Sequence, residues 1–367
     1  MRNPLHSLCP YFAMFPEQFV REQIVRFTAP GEYVLDPFSG RGTTLLEALT
    51  LGRQAAAIDV NPVAYCISAA KADVPSLGQV LAELSEIEND YGIAHAQSLE
   101  HERRALPPFF RRAFYATTLR QILFLRRELD WQRERTHRFI TALVLGSLHG
   151  EMDKSSSYFS NQMPRTISTK PRYSLRYWRK HGLWPRKRRV FEILRSRAVL
   201  RLSGDIPVRR GLVKLGDARA AATAFPKLRN RIKLIVTSPP YLNVTNYEED
   251  QWLRLWFLGH EPRPSYGRIS KDDRHSGASR YWTFLREAWT GIGPLLARGA
   301  KIVCRIGSKD MDVNEITVRL TDSVRLALPD ARLLSPPVIS AIRNRQTEAF
   351  RPGSGGCVVE ADYVFAA

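Results

Sequence analysis

Asp36-Pro-Phe-Ser-Gly-Arg-Gly-Thr-Thr44 stands between an apolar tetrad, Tyr33-Val-Leu-Asp36, and a run of helical apolar spacing from Thr43 to Leu51. The tetrad predicts a short buried strand, and Gly52 ends the helix that follows it. Gln54-Ala-Ala-Ala-Ile-Asp59 then predicts a second strand. A second helix follows from Pro62 to Ala72, its proline near the first turn, where a missing N–H costs nothing. Strand, turn, helix, strand, helix is the order of a parallel sheet with helices packed on it. Ligands of open α/β sheets bind at the carboxyl ends of the strands, which is where the quoted turn lies.

Gly40 and Gly42 let the backbone turn tightly and approach a ligand closely. Two familiar ligands of such turns do not fit the residues. A dinucleotide fingerprint needs a third glycine where Leu45 stands, and a phosphate loop needs Gly-Lys-Ser/Thr, whereas Gly42 precedes Thr43. Asp36 and Asp59 make the pocket acidic, which favours a cationic or hydroxyl-rich ligand. Asp59 lies 17 residues after Gly42, close to the roughly 20-residue spacing at which an acid receives a ribose. S-adenosylmethionine offers both a ribose and a sulfonium cation; a purely structural turn is the alternative.

Outward from this unit the rhythm changes. From about Pro75 to Gly204 apolar residues recur at helical spacing in Leu77 to Ile93, Phe109 to Leu129, Phe139 to Leu148 and Val190 to Leu200, with looser linkers around Ser155 to Pro171. Afterwards alternation resumes, with strands expected at Lys233 to Thr237, Lys301 to Ile306, Arg332 to Ile339 and Cys357 to Phe365. Helices are expected around Glu249 to Leu258, Tyr281 to Leu296 and Val313 to Leu328. The expected organisation is a discontinuous α/β domain, 1–75 and 205–367, interrupted by a mostly helical insertion, 76–204.

The chain carries 55 Lys and Arg against 36 Asp and Glu, a net charge of +19 that points to a polyanionic partner. Between Lys154 and Arg201 stand 14 Lys or Arg and one acid, Glu192. Aromatics interleave with the cations in Lys170-Pro-Arg-Tyr-Ser-Leu-Arg-Tyr-Trp-Arg-Lys180 and in Trp184-Pro-Arg-Lys-Arg-Arg189, a mixture suited to phosphates and unstacked bases. Arg172, Arg176, Arg179, Lys180, Arg186, Lys187, Arg188 and Arg189 are the expected nucleic-acid contacts. A solvated basic face is the plainer reading.

A second constellation, Thr237-Ser238-Pro239-Pro240-Tyr241, follows the apolar strand Leu234-Ile-Val236. Two prolines cannot continue a ladder, so they fix a rigid turn that holds Tyr241 in place. Together the two motifs resemble the amino-directed DNA methyltransferases, which methylate cytosine N4 or adenine N6 with S-adenosylmethionine. The resemblance covers residues 1 to about 75 and about 205 to 367. It implies a doubly wound, Rossmann-like methyltransferase sheet of seven mostly parallel strands. It also implies a cofactor site built from Tyr11 and Phe15 of Tyr11-Phe-Ala-Met-Phe-Pro16, from Asp36, Pro37, Phe38, Ser39, Gly40, Gly42 and Thr43, from Asp59, Asn61 and Pro62, and from Asp217 near the adenine.

By the same resemblance Ser238, Pro239, Pro240 and Tyr241 are the catalytic residues. The Ser238 side chain and Pro239 carbonyl accept the amino hydrogens while Tyr241 stacks on an extruded base. The Ser-Pro-Pro-Tyr form favours cytosine N4 over adenine N6. The insertion occupies a slot used for target recognition, and a restriction nuclease or another defence component is the implied partner. An RNA base methyltransferase and a catalytically silent nucleic-acid binder are the rivals.

Other features exclude more than they assign. Cys9, Cys66, Cys304 and Cys357 have neither zinc-ligand nor disulfide spacing, and the histidines have no metal-ligand companions. No apolar run reaches the roughly 20 residues of a membrane span, and the N-terminus lacks a secretory signal, so a reduced cytoplasmic setting is expected. Trp252 and Trp256, four apart, are expected in a core. Tyr247 suits a base pocket or packing equally, and Arg343-Asn-Arg345 a DNA-contacting loop or a solvated turn.

Overall fold

The computed structural model describes residues 2–11, 16–151, 157–163, 170–242, 247–265, 277–308, 310–341 and 359–367. Along the chain run α1 (Glu17–Phe27), β1 (Tyr33–Asp36), α2 (Thr43–Thr50), β2 (Gln54–Asp59) and α3 (Pro62–Ala72). Next come α4 (Leu77–Asp90), α5 (Ile93–Ala105), α6 (Pro108–Ala113), α7 (Ala116–Glu128), α8 (Arg135–Ser147), β3 (His149–Glu151), β4 (Ser160–Met163), α9 (Pro171–Lys180) and α10 (Val190–Arg201). The remainder is β5 (Leu212–Leu215), α11 (Ala221–Ala224), β6 (Ile232–Thr237), α12 (Tyr247–Asp250), α13 (Trp252–Phe257), α14 (Ala278–Ile292), β7 (Leu296–Gly307), α15 (Val313–Ala327), β8 (Arg332–Leu333), β9 (Val338–Ala341) and β10 (Val359–Ala366).

The main sheet has the order β5-β2-β1-β6-β7-β10-β8, its first five strands parallel and β10 antiparallel to β7. Successive residues of a strand face opposite sides. Leu35, Ala56, Ile58, Ile235, Ile302 and Cys304 therefore enter one core with α14 and α15. Val34, Ala55, Ala57, Leu234, Val236 and Val303 enter the other with α1 and α2. Burial on both faces is why these strands read as unbroken apolar runs.

The sheet is mostly parallel and doubly wound, but eight strands fill its seven positions. The single strand expected over Arg332–Ile339 is two, because Pro336 and Pro337 supply no N–H for a ladder. β8 and β9 pair in turn with the edge of β10 that β7 leaves open.

The chain divides into two compact units: Met1–Tyr11, Val74–Ile206 and Tyr247–Tyr266 form one, and Phe12–Asp73, Pro207–Asn246 and Gly267–Ala367 the other. This corrects the expected division, which left 1–11 and 247–266 with the sheet. Asn3 donates to the Asp205 carbonyl at 2.8 Å. Trp252 and Trp256 pack on Phe110 with ring centroids 5.8 and 4.5 Å away, and Trp252 also packs on Phe109 at 5.0 Å. Within the sheet unit the two ends of the long excursion are fastened together. The Gly211 N–H reaches the Ala72 carbonyl at 2.9 Å, and Arg210 pairs with Asp73 at 3.1 Å.

The expected pattern lacks α5, α11, β3, β4 and β5, and three further elements depart from it. The helix expected over Phe109–Leu129 is broken into α6 and α7, with Phe114 extended between them. α1 precedes the first expected strand, and α9 lies inside the basic stretch, its Trp178 fully buried and donating to the Gln162 carbonyl at 2.8 Å.

Candidate functional site

β1, β2 and β6 end side by side, and β5 ends beside β2, with Asp59 opposite Leu215 in register. The turn after β1 passes through positive φ at Gly40 (51°) and Gly42 (73°). A side chain at Gly42 would also meet Ser68 Oγ at 2.8 Å. Asp59 fastens the turn from β2, its two oxygens accepting the N–H groups of Gly40 at 2.7 Å and Asn61 at 2.9 Å. The Asn61 side chain caps α3 by accepting from the Val63 N–H at 2.9 Å, with Pro62 in the first turn. Ser68 of α3 shares a 2.7 Å hydrogen bond with Ser39 and donates to the Gly40 carbonyl. The fully buried Lys71 donates to the Arg41 carbonyl at 2.6 Å, and Arg41 pairs with Glu17 at 2.7 Å.

Asp36, Pro37, Ser39 and Thr43 are buried, whereas Phe38, Gly40, Asp59, Asn61, Pro62 and Asp217 are only partly so. These half-open positions form a rim along the carboxyl edge of the sheet. Asp36 sits beneath it, accepting from Thr237 Oγ1 at 2.7 Å and from the Phe38 N–H at 3.1 Å. Burial lifts its carboxyl from the ordinary carboxylate range to about 7. The bonds from Thr237, Phe38 and Thr44 pull the other way, and the charge of Asp59 adds a further rise.

The bond from Thr237 to Asp36 ties the second turn to the first. Ser238 follows, half-exposed, while Pro239, Pro240 and Tyr241 are buried. Tyr241 hydroxyl donates to Glu360 Oε1 of β10 at 2.8 Å, and Ser238 Oγ donates to that hydroxyl at 3.3 Å. A carboxylate only accepts, so it takes the tyrosine proton. The tyrosine oxygen then takes the serine proton, and the Ser238 oxygen faces any other partner as an acceptor. Tyr281 of α14 donates to the Pro240 carbonyl at 2.9 Å and braces the turn. Beside this chain Arg305 forms a buried two-pronged pair with Asp362, at 2.6 and 2.8 Å.

Several expected site residues carry structural duties. Asp217 is clasped by its neighbour Arg219 (Nη2 to Oδ2 2.7 Å) and also caps residues 218–220. It lies one residue past Gly216, whose N–H bonds the Asp59 carbonyl at 2.9 Å. Tyr241 is 9% exposed, its ring in the apolar cluster rather than presented to solvent. Tyr11 belongs to the helical unit and is buried. Phe15, Arg343, Asn344 and Arg345 lie outside the described residues, as does the side chain of Tyr247. Sequence reasoning passed over Ser68, Lys71, Tyr281 and Glu360. Only the spacing of Ser68 and Lys71 along one helix face offered a signal.

In the helical unit Arg172, Arg176, Arg179 and Lys180 are exposed on α9, and Arg186, Lys187 and Arg189 are exposed before α10. Arg188 differs from these seven in burial. It is half-buried, and its backbone N–H and carbonyl are both held by Thr118 Oγ1, at 2.9 and 3.2 Å. Tyr173, Tyr177 and His181 line one helix face as a ladder of rings, 6.1 and 4.3 Å between centroids. Arg112 lies 3.5 Å over the ring of Trp184, which is 71% exposed. Among the described residues no group of His, Cys, Asp and Glu could hold a metal, and no helix is long and apolar enough to cross a membrane.

Residues 2–70 match the model of the DNA methylase family, the N6/N4 methyltransferases. The type II methyltransferase M.Cfr9I of Citrobacter freundii is 44% identical over 52 residues, 14% of this chain and 17% of that protein. M.XycI of Xanthomonas campestris pv. cyanopsidis is equally similar, over the same shares of each chain. M.MjaII of Methanocaldococcus jannaschii is 30% identical over 83 residues, 22% of this chain and 16% of that one. The matches thus span about a sixth of each relative's length. Over residues 2–70, which hold the glycine turn and the acid that fastens it, the chain is similar to the N6/N4 amino-methyltransferases.

Proposed function

We propose that this protein transfers the methyl group of S-adenosylmethionine to an exocyclic amino nitrogen of DNA, cytosine N4 first and adenine N6 second. The observation that carries the reading is the 2.7 Å bond between Thr237 and Asp36, which brings the glycine turn and the Ser-Pro-Pro-Tyr turn to one end of the sheet. The residues fit the cofactor. The rim is half-open, and a buried carboxyl at about 7 gains from a cation beside it. Asp36 is the residue that meets the positive charge, while Asp59 and Asp217 are the acids for the hydroxyls and the adenine. When bound, the cofactor supplies an electrophilic methyl group.

The protein's own task is to make an amino group nucleophilic, since its lone pair is delocalised into the ring. Ser238, held as an acceptor by Tyr241 and Glu360, takes one amino hydrogen, and the Pro239 carbonyl takes the other. This draws the lone pair out of conjugation and orients it. A target stacked in duplex DNA must first be extruded, at a cost of a few kcal/mol, and the cations of the helical unit offset it through phosphate contacts. The DNA partner, and a role beside a restriction nuclease, belong to the same proposal; the relatives' names as type II methyltransferases favour it.

The test is nucleoside mass spectrometry after incubating DNA and RNA with the protein and deuteromethyl S-adenosylmethionine, with Ser238→Ala and Glu360→Leu alongside. Expected is labelled 4-methylcytosine in DNA, abolished in Ser238→Ala and slowed roughly tenfold in Glu360→Leu with cofactor affinity unchanged. Labelled 6-methyladenine moves the assignment to the second base. Label in RNA alone, or none despite cofactor binding, rejects the proposed function.

A further inference from the structure

The helical unit holds a groove of about 480 Å³ between the end of α4, the first turns of α7 and residues 187–192, which lead into α10. Its lining is cationic and incompletely paired. Lys187 and Arg188 have no ion-pair partner among the described residues, and burial together with nearby Arg186 depresses the Arg188 pKa, the mark of a cation short of counter-charge. Arg120 shares its carboxylate, Glu100, with Arg103 and Arg104, so three guanidiniums divide one negative charge. Two carboxylates reach the groove, and both are engaged: Glu88 with Arg195 at 2.6 Å and Glu192 with Arg189 at 2.8 Å.

Three residues of this lining also carry an unpaired donor. Arg120 Nε, Arg188 Nε and Thr117 Oγ1 are each buried without a hydrogen-bond partner among the described residues. A buried donor left without an acceptor is destabilising. α10 also begins here, a 12-residue helix with no side-chain cap on the first N–H groups. Uncapped N–H groups at a helix start, flanked by guanidiniums, match the oxygens of a phosphate.

We propose that this groove is a phosphate-binding site of the helical unit, walled by Lys187 and Arg188 and floored by the N-terminus of α10. The phosphate belongs either to a nucleic-acid backbone or to a free phosphate-bearing molecule. Only the first source rests on the proposed reaction.

Isothermal titration calorimetry with inorganic pyrophosphate on the full chain tests the site, and anisotropy of a labelled DNA duplex over a range of salt identifies the source. Arg188→Gln should weaken pyrophosphate binding roughly tenfold or more, and Lys187→Gln, at an exposed residue that folding does not need, several-fold. Arg172→Gln on α9 is the control and should leave pyrophosphate binding alone. If duplex affinity falls with the same variants and its log–log salt slope shrinks by about 0.9 per cation removed, the backbone is the source. If pyrophosphate binding falls while duplex affinity holds, the ligand is a free phosphate compound. Either result supports the site. It is overturned if wild type binds no pyrophosphate, or if Lys187→Gln binds it as wild type does. Both readouts are independent of methyl transfer, so failure of the proposed reaction leaves them intact.

Discussion

Asp36 shows how one buried group ties stability to ligand binding. Its pKa in the folded protein is about 7, against 3.8 for an ordinary aspartate. A raised folded pKa means that the group's contribution to stability is fully present below 3.8 and is lost as pH rises toward 7. The gap of about three units corresponds to roughly 4 kcal/mol. Asp36→Asn stays neutral, so its melting temperature should gain on the wild type between pH 4 and 7 and hold a constant lead above pH 8. A difference that does not vary with pH would remove the ionisation argument. A bound cation reverses the preference, because it rewards the ionised form. Cofactor affinity should therefore rise with pH up to about 7 in the wild type and stay flat in Asp36→Asn, as equilibrium dialysis would report.

The turn between β1 and α2 was legible because only glycine serves its backbone. Gly42 combines a φ of 73° with a Cβ position 2.8 Å from Ser68 Oγ. Gly42→Ala should cost about 1–2 kcal/mol for the left-handed backbone alone, and more for the clash, measured by urea unfolding. Ser68→Ala costs about 1 kcal/mol by itself through its lost hydrogen bonds. In the Gly42→Ala background it should cost less than that, because it also removes the clashing oxygen; simple additivity would refute the contact. What fastens the turn was not legible. Lys71 and Glu360 are residue types ordinarily found on surfaces, and Glu360 meets Tyr241 across 119 positions of chain. β5 was hidden for another reason: Leu212 and Leu215 face solvent on an edge strand, so no burial pattern marks it. α9 was hidden because only Ser174 and Trp178 of its ten residues are buried, and the cations around them read as composition rather than as a helix.

At the scale of the whole molecule, charge is the property that composition states and folding then distributes. Seven of the eight expected nucleic-acid contacts in the basic segment are exposed, beside the rings of Tyr173, Tyr177 and Trp184. If all seven neutralise phosphates, the log–log slope of DNA affinity against salt approaches about −6, at roughly −0.9 per contact. Affinity should then fall by nearly four orders of magnitude (about 3.6–3.8 log units) between 50 and 200 mM salt, as fluorescence anisotropy can follow. Removing three charges together, in Arg172→Gln/Arg176→Gln/Arg179→Gln, should make the slope shallower by nearly 3. A wild-type slope above about −2 would mean that the cations are only a solvated face. The rings separate the two electrostatic readings that remain. A backbone tracker without aromatic contacts should not prefer unpaired strands, whereas stacking contributes about 1–3 kcal/mol per base on single strands. Tyr173→Ala and Trp184→Ala should therefore weaken single-stranded DNA much more than duplex while leaving the salt slope intact, because rings release no counterions.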